Sequence, residues 1–291
     1  MGVSGSSLRG SSQGQSQNQG CEAKLSEARV TLPALRRMKR EGVKIAMITA
    51  YDYAFARIFD AAGADVVLVG DSLGTCVQGH DTTLPVTLDE MIYHTRMVAR
   101  GCRRAHVVGD LSFGSYQTGV DDAVRSAVRM VKEGGAHAVK LEGGTKIADR
   151  IAAITAIDIP VMGHIGLTPQ SVHRMGGYRV QGRGAKGHDR LLADAKAVQD
   201  AGAYAIVLEG MPRDLAHEIG ASLEIPTIGI GAGLGCDGQV LVMHDLLGLS
   251  EEPAPRFARQ YVSLLEIAQR AVRMYVEDVR NQKFPADHES Y

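Results

Sequence analysis

Ala61-Ala62-Gly63-Ala64-Asp65-Val66-Val67-Leu68-Val69-Gly70-Asp71-Ser72-Leu73-Gly74 decides the fold. Gly63 is suited to a left-handed helix cap, an unbroken β-branched run follows at once, and the run stops at a glycine and an acid. The phrase before the strand returns as Glu133-Gly134-Gly135-Ala136-His137 and as Asp200-Ala201-Gly202-Ala203-Tyr204. The acidic stop returns at Gly109-Asp110, Lys140-Leu141-Glu142-Gly143 and Leu208-Glu209-Gly210. Helix, glycine cap, apolar strand and acidic stop form one repeated βα unit.

Outward from that stretch, eight runs read as strands: Ile45–Ala50, Asp65–Gly70, Ala105–Leu111, Ala138–Gly143, Pro160–Ile165, Tyr204–Gly210, Pro226–Gly231 and Val240–Asp245. Helical stretches lie between them near 53–62, 87–100, 119–134, 145–156, 188–202 and 212–223, and a long amphipathic one closes the chain near 255–280. Thr87-Leu88-Asp89-Glu90 has capping-box spacing. Eight units in about 250 residues predict an α/β fold, a (β/α)8 TIM barrel. Residues 1–24, rich in Gly, Ser and Gln, read as a disordered tail, and 25–291 as one barrel domain ending in a C-terminal helix. A doubly wound sheet would place a phosphate loop early. Gly233 to Gly238 fits G-x-G-x-x-G but precedes a further apolar run rather than a helix, so no dinucleotide site is assigned to it.

Thirty-two basic against thirty-three acidic side chains in 291 residues give a net charge of −1, which removes electrostatic support for a nucleic acid or an acidic membrane as partner. Cys21, Cys76, Cys102 and Cys236 are scattered, without the spacing of a disulfide scaffold or a structural zinc. No apolar run approaches the ~20 residues of a membrane span. Residues 2–20 carry one basic residue, Arg9, and no signal-peptide core. A reducing cytoplasm is the expected setting.

Barrel active sites lie at the carboxyl ends of the strands, which singles out Asp71, Asp110, Glu142 and Glu209. Two-residue spacing puts Lys140 and Glu142 on one strand face, with Val139 and Leu141 on the other. Converging carboxylates require a cation, and oxygen donors without clustered His or Cys favour Mg²⁺. Against this, any single acid after a strand commonly caps the next helix or pairs with a basic neighbour. His164 closes the fifth strand and is assigned to the site by position. His80, His137, His173, His188 and His217 are read as surface or loop residues. The glycine-rich basic stretch Gly176 to Gly184 is read as a lid or an anion clamp, or else as a surface excursion.

Thr49-Ala50-Tyr51-Asp52, Val69 to Gly74, Gln78 to Thr87, Tyr93-His94-Thr95, Lys140 to Gly144, Gly163 to Ser171, Gly176 to Gly184, Ile228 to Gly233 and Val242 to Asp245, in this order, resemble the ketopantoate hydroxymethyltransferase family. The resemblance runs from about residue 31 to the C-terminus. It implies a barrel of the phosphoenolpyruvate-mutase-like group and a homodecamer. It also implies transfer of a hydroxymethyl group from 5,10-methylenetetrahydrofolate to 3-methyl-2-oxobutanoate through a magnesium-stabilised enolate, giving ketopantoate on the pantothenate and coenzyme A route. By the same resemblance Asp71, Asp110 and Glu142 serve the Mg²⁺, Ser72 and Lys140 hold the keto acid, Glu209 is the base, and His164 lines the site. Asp110-Leu111-Ser112-Phe113 departs from the family's usual turn. The rival readings are a magnesium-dependent keto-acid lyase of the same barrel superfamily, whose Lys-Lys-Cys-Gly-His loop is missing here, and a barrel without turnover.

Overall fold

The computed structural model describes residues 1–2, 28–250 and 255–291; all but Met1 and Gly2 of the predicted N-terminal tail lies outside the described residues. Strands β1 (Ile45–Thr49), β2 (Val66–Val69), β3 (His106–Asp110), β4 (Ala138–Glu142), β5 (Val161–Gly166), β6 (Ala205–Glu209), β7 (Thr227–Ile230) and β8 (Gly238–Leu241) pair in parallel and in sequence order, and β8 returns to β1 to close the barrel. Around it run α1 (Leu32–Glu41), α2 (Tyr53–Ala61), α3 (Leu73–Cys76), α4 (Leu88–Gly101), α5 (Val120–Lys132), α6 (Ala148–Thr155), α7 (Val172–Met175), α8 (Gly184–Asp200), α9 (Arg213–Ser222), α10 (Met243–Leu247) and α11 (Leu264–Arg280). No described helix is long and apolar enough to cross a membrane.

The local signals act as their chemistry dictates. Gly63, Gly135 and Gly202 have φ of 93°, 74° and 97°, a left-handed turn that a side chain would strain, and each releases the chain into a strand. At α4 the Thr87 hydroxyl accepts from Glu90 N at 3.3 Å while the Glu90 carboxylate accepts from Thr87 N at 2.8 Å, completing the capping box.

Alternation along each strand separates two cores. Val139 and Leu141 pack outward in the layer shared with the helices, whereas Ala138, Val108, Leu68, Met162 and Val207 fill the barrel interior. Interior filling leaves the two ends for polar groups. At the base His106 Nε2 lies 3.2 Å from the Tyr204 hydroxyl. Two residues beyond Val108 on the same face comes Asp110, and two beyond Ala138 comes Lys140.

Three expectations change. The eighth strand begins at Gly238 and ends at Leu241, and Met243 already starts α10. Closure sets this register: Ile45 pairs with Gly238, where an added Cβ would sit 2.5 Å from the Ile45 carbonyl oxygen, and Thr49 Oγ1 accepts from Met243 N at 3.0 Å. The terminal helix begins at Leu264 and buries none of its side chains. The helix placed at 188–202 starts at Gly184. His137 lies in the loop before β4, as expected, and is half-buried there, its Nδ1 accepting from Val107 N at 3.0 Å. The chain also opens with α1, whose Thr31 cap, early proline and closing Gly42 are ordinary helix signals.

Candidate active site at the barrel mouth

Parallel strands of equal phase bring their last interior residues to one end. Asp71, Asp110, Lys140, Glu142 and His164, from the ends of β2 to β5, are all buried there, each at most 6% exposed. Glu209 ends β6 and remains partly open, its side chain 17% exposed. All six line one cavity of about 590 Å³. Ser72 joins them, its hydroxyl 2.8 Å from that of Tyr51.

Lys140 Nζ stands 2.9 Å from Asp110 Oδ2, 3.9 Å from Glu142 Oε1 and 3.2 Å from His164 Nδ1. His164 Nδ1 is 3.4 Å from Glu142 Oε1, and its Nε2 is 3.2 Å from Glu209 Oε2. Burial and the adjacent Lys140 charge both push the His164 pKa down. Hydrogen bonds to Glu142 and Glu209 more than reverse this, raising it to about 9. The imidazole is therefore cationic, and its Nδ1 proton belongs to Glu142 rather than accepting from Lys140. Lys140 also keeps its proton: burial opposes the charge, but Asp110, Glu142 and Asp71 raise its pKa.

The carboxylates are less settled. Burial, reinforced by Asp110 and Glu142, pushes Asp71 well above the usual carboxylate range. Burial also raises Asp110 despite the neighbouring ammonium. Glu142 goes the other way, because His164, Lys140 and the Gln170 backbone N–H outweigh its burial. Asp110 Oδ1 is buried with no hydrogen-bond partner, and Glu142 Oε1 and His164 Nε2 have only the ion-pair contacts just described, although sealed polar atoms are nearly always satisfied. Without a further cation beside them, Asp71 and Asp110 thus hold protons more readily than free carboxylates.

Sequence reasoning passed over the residue that ties these groups together. Gln170 donates from Nε2 to Asp71 Oδ2 and to the Leu111 carbonyl, both at 2.9 Å. Its Oε1 accepts from the Tyr116 hydroxyl at 2.7 Å and from Gln117 Nε2 at 2.8 Å, while its backbone N–H donates to Glu142 Oε2 at 3.0 Å. Every hydrogen-bonding position of that amide is used, which fixes its orientation and that of Asp71. A glutamine in a loop after β5 has no spacing signal to a strand-end aspartate ninety-nine positions away.

Tyr178 and Val180, from the glycine-rich stretch, line the cavity, and Gln181 N donates to the Gly210 carbonyl at 2.8 Å. The stretch is therefore anchored beside β6 and is part of the wall. A second cavity of about 330 Å³ shares Glu142 with the first but is bordered by exposed cations including Lys146, Arg174 and Arg190.

The class is a closed parallel (β/α)8 barrel, a fold the chain shares with solved members of the phosphoenolpyruvate mutase and isocitrate lyase superfamily. A phosphoenolpyruvate phosphomutase from Streptomyces platensis subsp. rosaceus superposes with a TM-score of 0.59 at 15% identity, covering 86% of this chain and 88% of that one. A 2,3-dimethylmalate lyase of that superfamily gives 0.56 at 19% identity, covering 89% and 91%. At such identities the likeness concerns the fold. Within that class the chain belongs to the ketopantoate hydroxymethyltransferase family, whose model matches residues 29–287. The 3-methyl-2-oxobutanoate hydroxymethyltransferase of Pelobacter propionicus is 57% identical over 90% of this chain and 97% of its own length, and that of Magnetococcus marinus 56% identical over 90% and 98%.

Proposed function

We propose that this chain transfers a hydroxymethyl group from 5,10-methylenetetrahydrofolate to 3-methyl-2-oxobutanoate, yielding 2-dehydropantoate and tetrahydrofolate for pantothenate synthesis. The observation that carries the reading is the buried Asp71, Asp110, Lys140 and Glu142 cluster with its unpartnered Asp110 Oδ1, in a chain of this family. Magnesium fits the donor set. Among the described residues no three His, Cys, Asp or Glu side chains stand close enough to hold a metal alone, and Mg²⁺ typically takes one or two carboxylates and keeps several waters. Asp71 and Asp110 would hold it, with Glu142 contacting it directly or through an ordered water. When bound, it supplies Lewis acidity toward the keto group of the substrate.

The remaining work falls to the chain. Lys140 and the Ser72 hydroxyl hold the substrate carboxylate, the buried ammonium offsetting its charge. Glu209 takes the proton from the third carbon, with His164 Nε2 fixing the carboxylate that receives it. The carbon nucleophile attacks the methylene carbon of the donor, whose bond to one folate nitrogen has opened with protonation of that nitrogen; hydrolysis of the remaining carbon–nitrogen bond then leaves the water's hydroxyl on that carbon and its proton on the second nitrogen, releasing tetrahydrofolate. Homo-oligomerisation, as the family resemblance implies, and a cytoplasmic setting accompany this reading.

The test is formation of 2-dehydropantoate from the two substrates with and without magnesium, alongside exchange of the third-carbon hydrogen in deuterated water. Glu209→Gln is expected to abolish both product and exchange. Turnover that survives thorough chelation, or near-normal exchange in Glu209→Gln, overturns the mechanism.

A further inference from the structure

The cavity has two unlike halves. Its floor is the charged cluster on β2 to β5. The side formed by the ends of β6 to β8 and the loops after β5 and β8 carries the broader apolar surface, Leu167, Ile230 and Val242 with Tyr178 and Phe257 toward the rim, and Arg256 beside Phe257. At about 590 Å³ the cavity has the dimensions of a drug-sized ligand site, far beyond a small branched keto acid seated on Lys140 and Ser72. The apolar half suits a flat heteroaromatic ring, which buries its faces against aliphatic and aromatic side chains.

Besides Glu209 at the end of β6, one further carboxylate stands on that side. Of the five that line the cavity, Asp71 is held by Gln170, Asp110 by Lys140, Glu142 by the Gln170 backbone and His164, and Glu209 by His164. The fifth, Asp245 in α10, lines the cavity and has no hydrogen-bond or ion-pair partner among the described residues. It is half-buried, near enough to Cys76 to raise that thiol's pKa, and burial raises its own. A half-buried carboxylate without a partner among the described residues is free to accept from a ligand in the cavity.

We propose that Asp245 recognises the pteridine ring of the folate donor, its two oxygens accepting from the adjacent ring N–H and exocyclic amino group. Two parallel N–H donors are the complement of a carboxylate, and the apolar wall then takes the faces of the ring. The assignment rests on methylenetetrahydrofolate being the donor. It places the keto acid on β2 to β5 and the folate on β6 to β8, so the one-carbon unit meets the substrate between them.

The experiment measures tetrahydrofolate binding by titration calorimetry on the full chain, with the third-carbon deuterium exchange of the keto acid followed by NMR in the same preparations. Asp245→Asn, which keeps the shape and loses one acceptor, is expected to weaken tetrahydrofolate binding 10- to 100-fold, the range for a hydrogen bond to a charged group. Exchange, which needs no folate, should stay within about twofold of wild type. A folate analogue lacking the 2-amino group should bind wild type and Asp245→Asn about equally. Tetrahydrofolate affinity within twofold of wild type in Asp245→Asn overturns the proposal, as does parallel loss of folate binding and exchange. Wild-type protein that exchanges deuterium but binds no tetrahydrofolate overturns the donor itself, whereas loss of exchange in wild type overturns the keto-acid chemistry instead.

Discussion

His164 and His106 both lie inside the barrel, 3% and 2% exposed, yet their protons are held in opposite ways. At the base, burial together with the neighbouring His137 and Arg29 drives His106 down to about 3, so it is neutral and shares a hydrogen bond with Tyr204. At the mouth the same burial is overcome by Glu142 and Glu209, and His164 rises to about 9. Desolvation disfavours the imidazolium in both places. What separates them is whether the neighbouring strands end in carboxylates. The base is a structural plug, and the mouth is a charge assembly left incomplete.

The comparison breaks most readily at Lys140. Removing one partner of a buried ionic group costs about 3–5 kcal/mol, so Lys140→Ala should lose about that much stability in denaturant titrations without divalent cation. Added magnesium should restore part of it. No restoration would mean that the mouth is no cation site.

The next largest effect is on pH dependence, where the two histidines carry opposite signs. His106 has a folded pKa below its unfolded value near 6.5, so the unfolded chain binds the extra proton and stability falls as the solution is acidified below about 6.5. The slope is at most about 1.4 kcal/mol per pH unit, or nearly 3 kcal/mol by pH 4.5, and His106→Asn should remove that component. His164 has a raised folded pKa, so its contribution is complete below about 6.5 and is lost as pH climbs through about 9. Without magnesium, His164→Gln should flatten that alkaline limb. Thermal melts across pH 4.5 to 9.5 read both, and limbs of equal sign would refute the contrast.

Gln170→Ala takes the only side-chain amide off Asp71 and leaves the Leu111 carbonyl without that donor. A loss of about 2 kcal/mol is expected, together with weaker Mn²⁺ or Mg²⁺ binding by calorimetry. A purely structural glutamine would lower stability and leave the metal affinity unchanged. Smallest is Thr87→Ala, outside the lining of the cavity. Its lost cap should cost about 1 kcal/mol without altering either pH limb, which calibrates the others.

Much of this contrast was legible in the chain. Strand phase is a local property, so two-residue spacing sufficed to send Lys140 and Glu142 inward and Val139 and Leu141 outward. The Gly63, Gly135 and Gly202 caps, needing only a left-handed turn, marked where strands begin. Less was legible where distant partners set the boundary. The register of β8 depends on close approach of Gly238 to Ile45, and α10 starts where Thr49 supplies a hydrogen bond; neither leaves a trace in the sequence around 238–245. His106 went unremarked because an apolar strand that begins with histidine looks alike whether the ring faces Tyr204 or solvent.

By itself, then, the sequence determined the repeated βα unit, the acidic strand ends and membership of a family, since these rest on periodicity and on residue identity. Only the tertiary structure decided which charges compensate one another. Gln170 reaches Asp71, Glu209 reaches His164, and Asp245 is left unmatched, because barrel closure sets distances between strand ends and loops that no spacing along the chain encodes. Electrostatic energy falls with distance in space, and the proton on His164 follows that distance rather than the order of residues.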